Sequence, residues 1–176
     1  TLDDDSFKDA IDEIKGLTIL STHPNIMKLE KNFFDTKNHL IFMVMTLARE
    51  DLREYIKKQE NQRLTEDFIY NLGKQMFSGF NFACNKLIAH MDIKPENVLL
   101  LDDNTFQISD WGGVKFMNSS GTTHVKSGAL TYTIGFMAPE IFEITQEGKF
   151  NYFKCDVYSL GILFLSCCGV SRGHIE

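Results

Sequence analysis

The stretch His90-Met91-Asp92-Ile93-Lys94-Pro95-Glu96-Asn97 constrains this chain more than any other. It lies between a long amphipathic pattern and a short apolar run, Val98 to Leu101. A polar loop entered from a helix and left by a strand, with Pro95 stiffening its middle, holds its polar groups in a fixed place. His90, Asp92, Lys94 and Asn97 are concentrated there. That concentration suits a ligand carrying several negative charges.

The flanking pattern sets the elements. Phe68, Leu72, Met76, Phe80, Ala83 and Leu87 share one face and predict a helix over about 65–87. Near the start, Ser6 and Asp9 have capping-box spacing, and Phe7, Ile11, Ile14 and Leu17 predict a helix over 6–20. His23-Pro24-Asn25 ends it. Ile26 to Phe34 and Leu40 to Met45 read as a hairpin around Asp35-Thr36-Lys37-Asn38. Residues 46–51 read as a hinge, and Asp51 to Gln59 as a helix. Val98 to Leu101 and Phe106 to Ile108 read as strands around the turn Asp102-Asp103-Asn104. Residues 112–137 lack a strong period and read as a long loop, functional or disordered. Val157 to Cys168 reads as a buried helix. No internal repeat or interdomain linker is visible.

Composition excludes several classes. A chain of 176 residues suffices for one domain with a core. A net charge of −6 argues against nucleic-acid partners. Cys84, Cys155, Cys167 and Cys168 lack metal-site spacing and read as reduced thiols of an intracellular, cytoplasmic or nuclear protein. No signal-peptide pattern opens the chain. The apolar run 157–170 is too short to span a bilayer, so no membrane role is expected.

The chemistry continues past the loop. After the second strand, Asp110-Trp111-Gly112-Gly113 presents a carboxylate at a tight turn. Asp92, Asn97 and Asp110 therefore flank the same strand pair and can converge. Asn97 and Asp110 are hard oxygen ligands suited to Mg²⁺, which fills its remaining positions with water and phosphate. Lys94 offers a point charge to a phosphoryl oxygen. Asp92 can accept or orient the proton of an attacking hydroxyl.

With these motifs in order, the chain resembles the eukaryotic protein kinases. His90 to Asn97 resembles their catalytic loop, Asp110-Trp111-Gly112 their metal-binding Asp-Phe-Gly motif, and Ala138-Pro139-Glu140 the end of their activation segment. Asp156 to Gly161 resembles the start of their central buried helix, and His23 to Ile26 the turn after their mobile helix. The resemblance implies an α+β, kinase-like bilobal fold. Residues 1–45 would be a partial small lobe and 46–176 an incomplete, mostly helical large lobe. It implies a Ser/Thr kinase that uses ATP and Mg²⁺ on protein substrates, with Asp92 as base, Lys94 on the phosphate, and Asn97 and Asp110 on the metal. Thr133, five residues before Ala138, and Lys94 favour Ser/Thr over Tyr hydroxyls. Glu13 would pair with a strand lysine. Met45 or Val44 would flank adenine, Leu47 would offer backbone hydrogen bonds to it, and Leu99 and Leu52 would form the pocket floor. His90 and Trp111 would stack with Leu17 and Leu29, and Asp156 would anchor the loop.

The chain also departs from the family. No Gly-rich loop or strand lysine precedes the first helix, and the family's last helices do not follow, so a fragment is expected. Such a fragment would be inactive alone and prone to aggregate through exposed core edges. Met91 replaces an arginine that binds activation-loop phosphate, so control through Ser127 or Thr131 by that pocket is not expected. The rival readings are a pseudokinase scaffold and a kinase-like enzyme acting on aminoglycosides or choline, though the latter lack an Ala-Pro-Glu segment. The regulatory partner is not named by the sequence.

Overall fold

The computed structural model of the chain describes residues 4–118, 123–125, 133, 135–142 and 148–170. Helix α1 spans Asp4–Leu20 and turns Ile14, Leu17 and Leu20 inward. Because it already contains Asp4, Ser6 lies within the helix and not at the cap that the Ser6–Asp9 spacing suggests.

The expected hairpin forms from β1 (Leu29–Asp35) and β2 (Leu40–Met45). Asp35 Oδ1 shapes its turn by accepting from the Lys37 and Asn38 backbone N–H groups at 3.1 and 3.0 Å. β1 begins at Leu29 and not at Ile26, because residues 25–27 are claimed elsewhere. Ile108 N donates to Asn25 O and Met27 N to Ile108 O, both at 2.9 Å. The Asn25 amide adds bonds to Gln75 Oε1 at 2.8 Å and Phe106 O at 3.0 Å. Backbone that must satisfy its N–H groups on a buried neighbour cannot also extend the hairpin. Among the described residues, β2 pairs with β1 alone, and Phe33, Leu40, Phe42 and Val44 stay exposed.

A three-stranded antiparallel sheet follows in the order β3-β5-β6. Its strands are β3 (Glu50–Asp51), β5 (Val98–Leu100) and β6 (Phe106–Ile108). Helix α2 (Leu52–Lys57) is capped by Asp51 Oδ1, which accepts from Glu54 N at 2.9 Å. It is shorter than the expected 51–59. Helix α3 (Glu66–Asn85) is capped by Thr65 and buries Leu72, Met76, Phe80 and Ala83, as its periodicity requires. Each of the three larger side chains, Leu72, Met76 and Phe80, contributes about 1.5–3 kcal/mol when withdrawn from water.

Gly79 lets α3 lie against β6. A Cβ there would sit 2.9 Å from Ile108 Cδ1 and 3.1 Å from Asn25 O. The Ile108 tip can move, but the backbone oxygen is tied into the ladder just described. Gly79→Ala therefore loses more to overpacking, about 1–3 kcal/mol, than the roughly 1 kcal/mol it gains in helix propensity. We expect a lower urea midpoint with an unchanged m-value; a higher midpoint would show that the helix can shift freely.

Two elements inside the stretch 112–137, expected to be a loop, were not legible. β7 (Lys115–Phe116) pairs with β4 (Ile88–Ala89). β8 (Thr123–Val125) pairs with β9 (Gly148–Phe150). Both strands of the first pair are two residues long, below the reach of any periodicity. After α4 (Pro139–Phe142), helix α5 runs Tyr152–Cys167 and starts before the expected Val157. Asn151 caps it, and its first turns bury Tyr152, Cys155 and Asp156. The buried Asp156 disguised that inward face in the sequence.

The architecture is α+β, with two apolar cores among the described residues. One gathers Leu17, Leu52, Leu72, Met76, Ile108 and Trp111. The other gathers Ala89, Met91, Met117, Ala138, Ile141 and Tyr152. The loop 90–97 lies between them.

Candidate functional site

One carboxylate holds the loop from beneath. Asp156 Oδ2 accepts from His90 N and Oδ1 from Met91 N, each at 2.8 Å. This is the expected anchor, while the helix-cap role falls to Asn151. Burial pushes the Asp156 carboxyl up to about 7, against the two N–H bonds that favour its charged form. Met91 sits at φ 71°, the left-handed region, so its backbone is strained as well as tethered.

His90 is fully enclosed. Its Nδ1 accepts from Asp92 N at 3.1 Å, so Nε2 carries the proton and donates to Ser109 O at 2.9 Å. Burial lowers its pKa and keeps the ring neutral. The ring lies 4.6 Å from that of Trp111, which is itself fully buried. Leu17 belongs to the same buried core as Trp111, and Leu29 packs against that core. The indole N–H donates to Ile108 O at 3.2 Å. Trp111→Phe deletes that bond and leaves a void, at a cost of about 1–3 kcal/mol. It should also speed hydrogen exchange at Gly112 and Gly113. Unchanged exchange and stability would show that the indole does not hold the turn.

Asp92 is the hub. Its Oδ1 accepts from Thr133 Oγ1 at 2.7 Å. Its Oδ2 accepts from Lys94 Nζ at 2.5 Å and from Asn97 Nδ2 at 3.1 Å. Asn97 Nδ2 also donates to Asp92 O at 2.8 Å, and Lys94 Nζ to Thr133 Oγ1 at 2.9 Å. Burial raises the Asp92 pKa, but the bonds from Lys94 and Thr133 outweigh it and leave the carboxyl below its usual range. A half-buried, charged carboxylate beside an ammonium can receive a hydroxyl proton while the ammonium faces developing negative charge.

Asp110 stands exposed at φ 58°, another strained left-handed position. A Cβ on Gly112 would lie 3.4 Å from Asp110 Oδ1 and 3.8 Å from Glu13 Oε2, so α1 brings Glu13 to the same turn. Burial first, and then the Asp110 charge, raise the Glu13 pKa. Among the described residues no cation pairs with Glu13.

The hinge residues are more dispersed. The alternation of β2 turns Met45 toward the core and leaves Val44 46% exposed. Leu47 is 94% exposed, and its backbone bonds to no described residue. Leu99 is half-buried on β5, opposite Gln107. Leu52 is fully buried in the core. Ser127 and Thr131 lie outside the described residues.

Sequence reading missed two serines. Ser109 N donates to Asn97 O at 2.9 Å, its hydroxyl to the same oxygen at 3.1 Å, and its carbonyl accepts from His90 Nε2–H. Its only signal was adjacency to Asp110. Ser159 Oγ donates to Phe136 O at 2.6 Å and ties α5 to the segment behind Thr133. Inside an apolar helix it gave no signal.

Among the described residues no group of His, Cys, Asp and Glu forms a closed metal cage. The Asn97 amide nitrogen is spent on Asp92, which leaves its oxygen as the end that can ligate. With the Asp110 carboxylate this donor set is hard, sparse and open, the kind that suits Mg²⁺ with water and phosphate.

The family model of the protein kinase domain matches residues 2–171. Calcium-dependent protein kinase 5 of Plasmodium berghei is 35% identical over 153 residues, 84% of this chain and 25% of that protein. Aurora kinase of Debaryomyces hansenii is 33% identical over 144 residues, 80% of this chain and 32% of that protein. Mitogen-activated protein kinase sma-5 of Caenorhabditis elegans is 30% identical over 161 residues, 86% of this chain and 30% of that protein. The chain thus spans 24–28% of the length of several calcium-dependent protein kinases it matches.

Proposed function

The chain belongs to the protein kinase domain family, and from that premise we propose that it forms part of an ATP-dependent Ser/Thr protein kinase. The observation that carries this is the closed triangle of Asp92, Lys94 and Thr133, with Asn97 bonded to the same carboxylate. Asp92 accepts the proton of a Ser or Thr hydroxyl as it attacks the γ-phosphoryl group. Lys94 places its charge against that group's oxygens, and Thr133 fixes both side chains. Asn97 and Asp110 would hold Mg²⁺, which supplies charge neutralisation at the phosphates. Catalysis is then mostly positioning and charge stabilisation.

Residues 1–45 serve as part of a small lobe and 46–176 as part of a large one. Glu13, half-buried beside Asp110 and paired with no cation among the described residues, suits a lysine of the full-length protein, and Met45, Leu47 and Leu99 suit the adenine side. The free cysteines agree with an intracellular, cytoplasmic setting. Among the described residues no helix is long and apolar enough to cross a membrane. Protein substrates are the partners we propose.

The test uses the full-length protein carrying this chain. Titration calorimetry with Mg·ATP should show binding that EDTA abolishes, and a Ser/Thr peptide library should acquire phosphate. Binding without transfer, or no binding, would leave a scaffold instead of an enzyme.

A further inference from the structure

Of the glycines described, two take a positive φ, Gly169 at 81° and Gly135 at 93°. Gly169 follows α5 and ends it, with Val170 N donating back to Leu165 O at 3.2 Å. Gly135 ends no helix. It stands third in a turn that Phe136 N closes on Thr133 O at 3.2 Å. A positive φ at that place suits Gly and, after it, Asn. Other side chains resist it, because the left-handed region brings Cβ against the following carbonyl. The far side of the turn is fixed. Phe136 is buried in the core that holds Ile93 and Trp111, and its carbonyl accepts from Ser159 Oγ at 2.6 Å. Further on, Cys155 Sγ donates to Glu140 Oε1 at 3.9 Å. The near side ends in Thr133, whose Oγ1 donates to Asp92 Oδ1 at 2.7 Å and accepts from Lys94 Nζ at 2.9 Å.

We propose that Gly135 is a positioning residue, whose left-handed backbone delivers the Thr133 hydroxyl to Asp92 and Lys94. With Phe136 held by the core and by Ser159, the backbone angle at Gly135 decides where Thr133 points. Hydrogen bonds weaken steeply with distance and angle, so a small swing of the turn breaks both Thr133 bonds. The consequence for catalysis rests on the phosphotransfer reading, but the geometry of the turn does not.

The full-length protein is compared as wild type, Gly135→Ala and Gly135→Asn, with Thr133→Val alone and combined with Gly135→Ala. Gly135→Ala should speed hydrogen exchange of the Phe136 amide, the donor that closes the turn, on the order of 10-fold while α3 amides keep their rates. Gly135→Asn is larger but tolerates the left-handed region, so it should stay near wild type, which separates backbone conformation from lack of space. Gly135→Ala should lower kcat on the order of 10-fold with little change in KM for ATP, and Gly135→Asn should keep it near wild type. Thr133→Val deletes the hydroxyl itself, so adding Gly135→Ala to it should cost no further kcat. Wild-type exchange or wild-type kcat in Gly135→Ala overturns the proposal. So does an Asn variant as impaired as the Ala variant, or a double variant whose losses multiply. If Gly135→Ala does not fold, Gly135→Asn still decides: near-wild-type exchange upholds the proposal and faster exchange overturns it. A wild type without phosphotransfer would sink the kinase reading and leave the exchange rates to judge the turn.

Discussion

Asp92→Asn should abolish phosphotransfer, lowering kcat by about 10²–10⁴-fold, the worth of a positioned general base. Mg·ATP affinity should stay nearly unchanged, because the proposed metal ligands Asn97 and Asp110 are left in place. The amide keeps the size of the carboxylate and one acceptor, so Thr133 can still bond to it. What disappears is the charge that faces Lys94 Nζ at 2.5 Å and the ability to take a proton. Retention of most of the wild-type kcat would remove Asp92 from the base role. The pH profile gives a second arm. Because the Lys94 and Thr133 bonds hold the Asp92 carboxyl below its ordinary value of 3.8, it stays ionised throughout the neutral range. Its contribution to stability is full above that ordinary value and is lost as pH falls through the lower folded one. No acid limb of kcat/KM near neutrality should therefore belong to Asp92. Lys94→Ala should move the Asp92 limb upward.

Asp156→Ala should produce the largest loss of stability. It strips the acceptors from two buried N–H groups, His90 N and Met91 N. Each orphaned donor costs about 1–3 kcal/mol, so the pair costs roughly 2–6 kcal/mol. That is a large share of the 5–15 kcal/mol typical of a folded domain. The strained Met91 backbone would also lose the tether that keeps it at φ 71°. Trp111, the single tryptophan of these 176 residues, sits against His90, so its fluorescence reports on unfolding of this region. An unchanged midpoint would mean that water replaces the carboxylate and that Asp156 is no anchor.

What the sequence determined by itself is local. Helix α3 and the β1–β2 hairpin were legible because a repeating apolar period and an Asp-Thr-Lys-Asn turn are written in adjacent residues. Asp92, Lys94 and Asn97 were legible because they lie in one short loop, whose spacing survives without any tertiary information. The tertiary structure alone decided matters of long-range pairing. It brought Thr133 onto Asp92 across 41 residues, and it supplied the geometry of the Asp156 anchor, 66 residues from His90, that only the kinase resemblance had implied. It diverted residues 25–27 from the hairpin to Ile108, and chose Met45 over Val44 as the inward side chain of β2. It also placed strands of two residues, β4 and β7, which exist only because each satisfies the other's backbone. Periodicity reports which face of an element is apolar. It carries no record of which distant polar group will meet a buried N–H, and the demand that such groups be satisfied is what assembled this site.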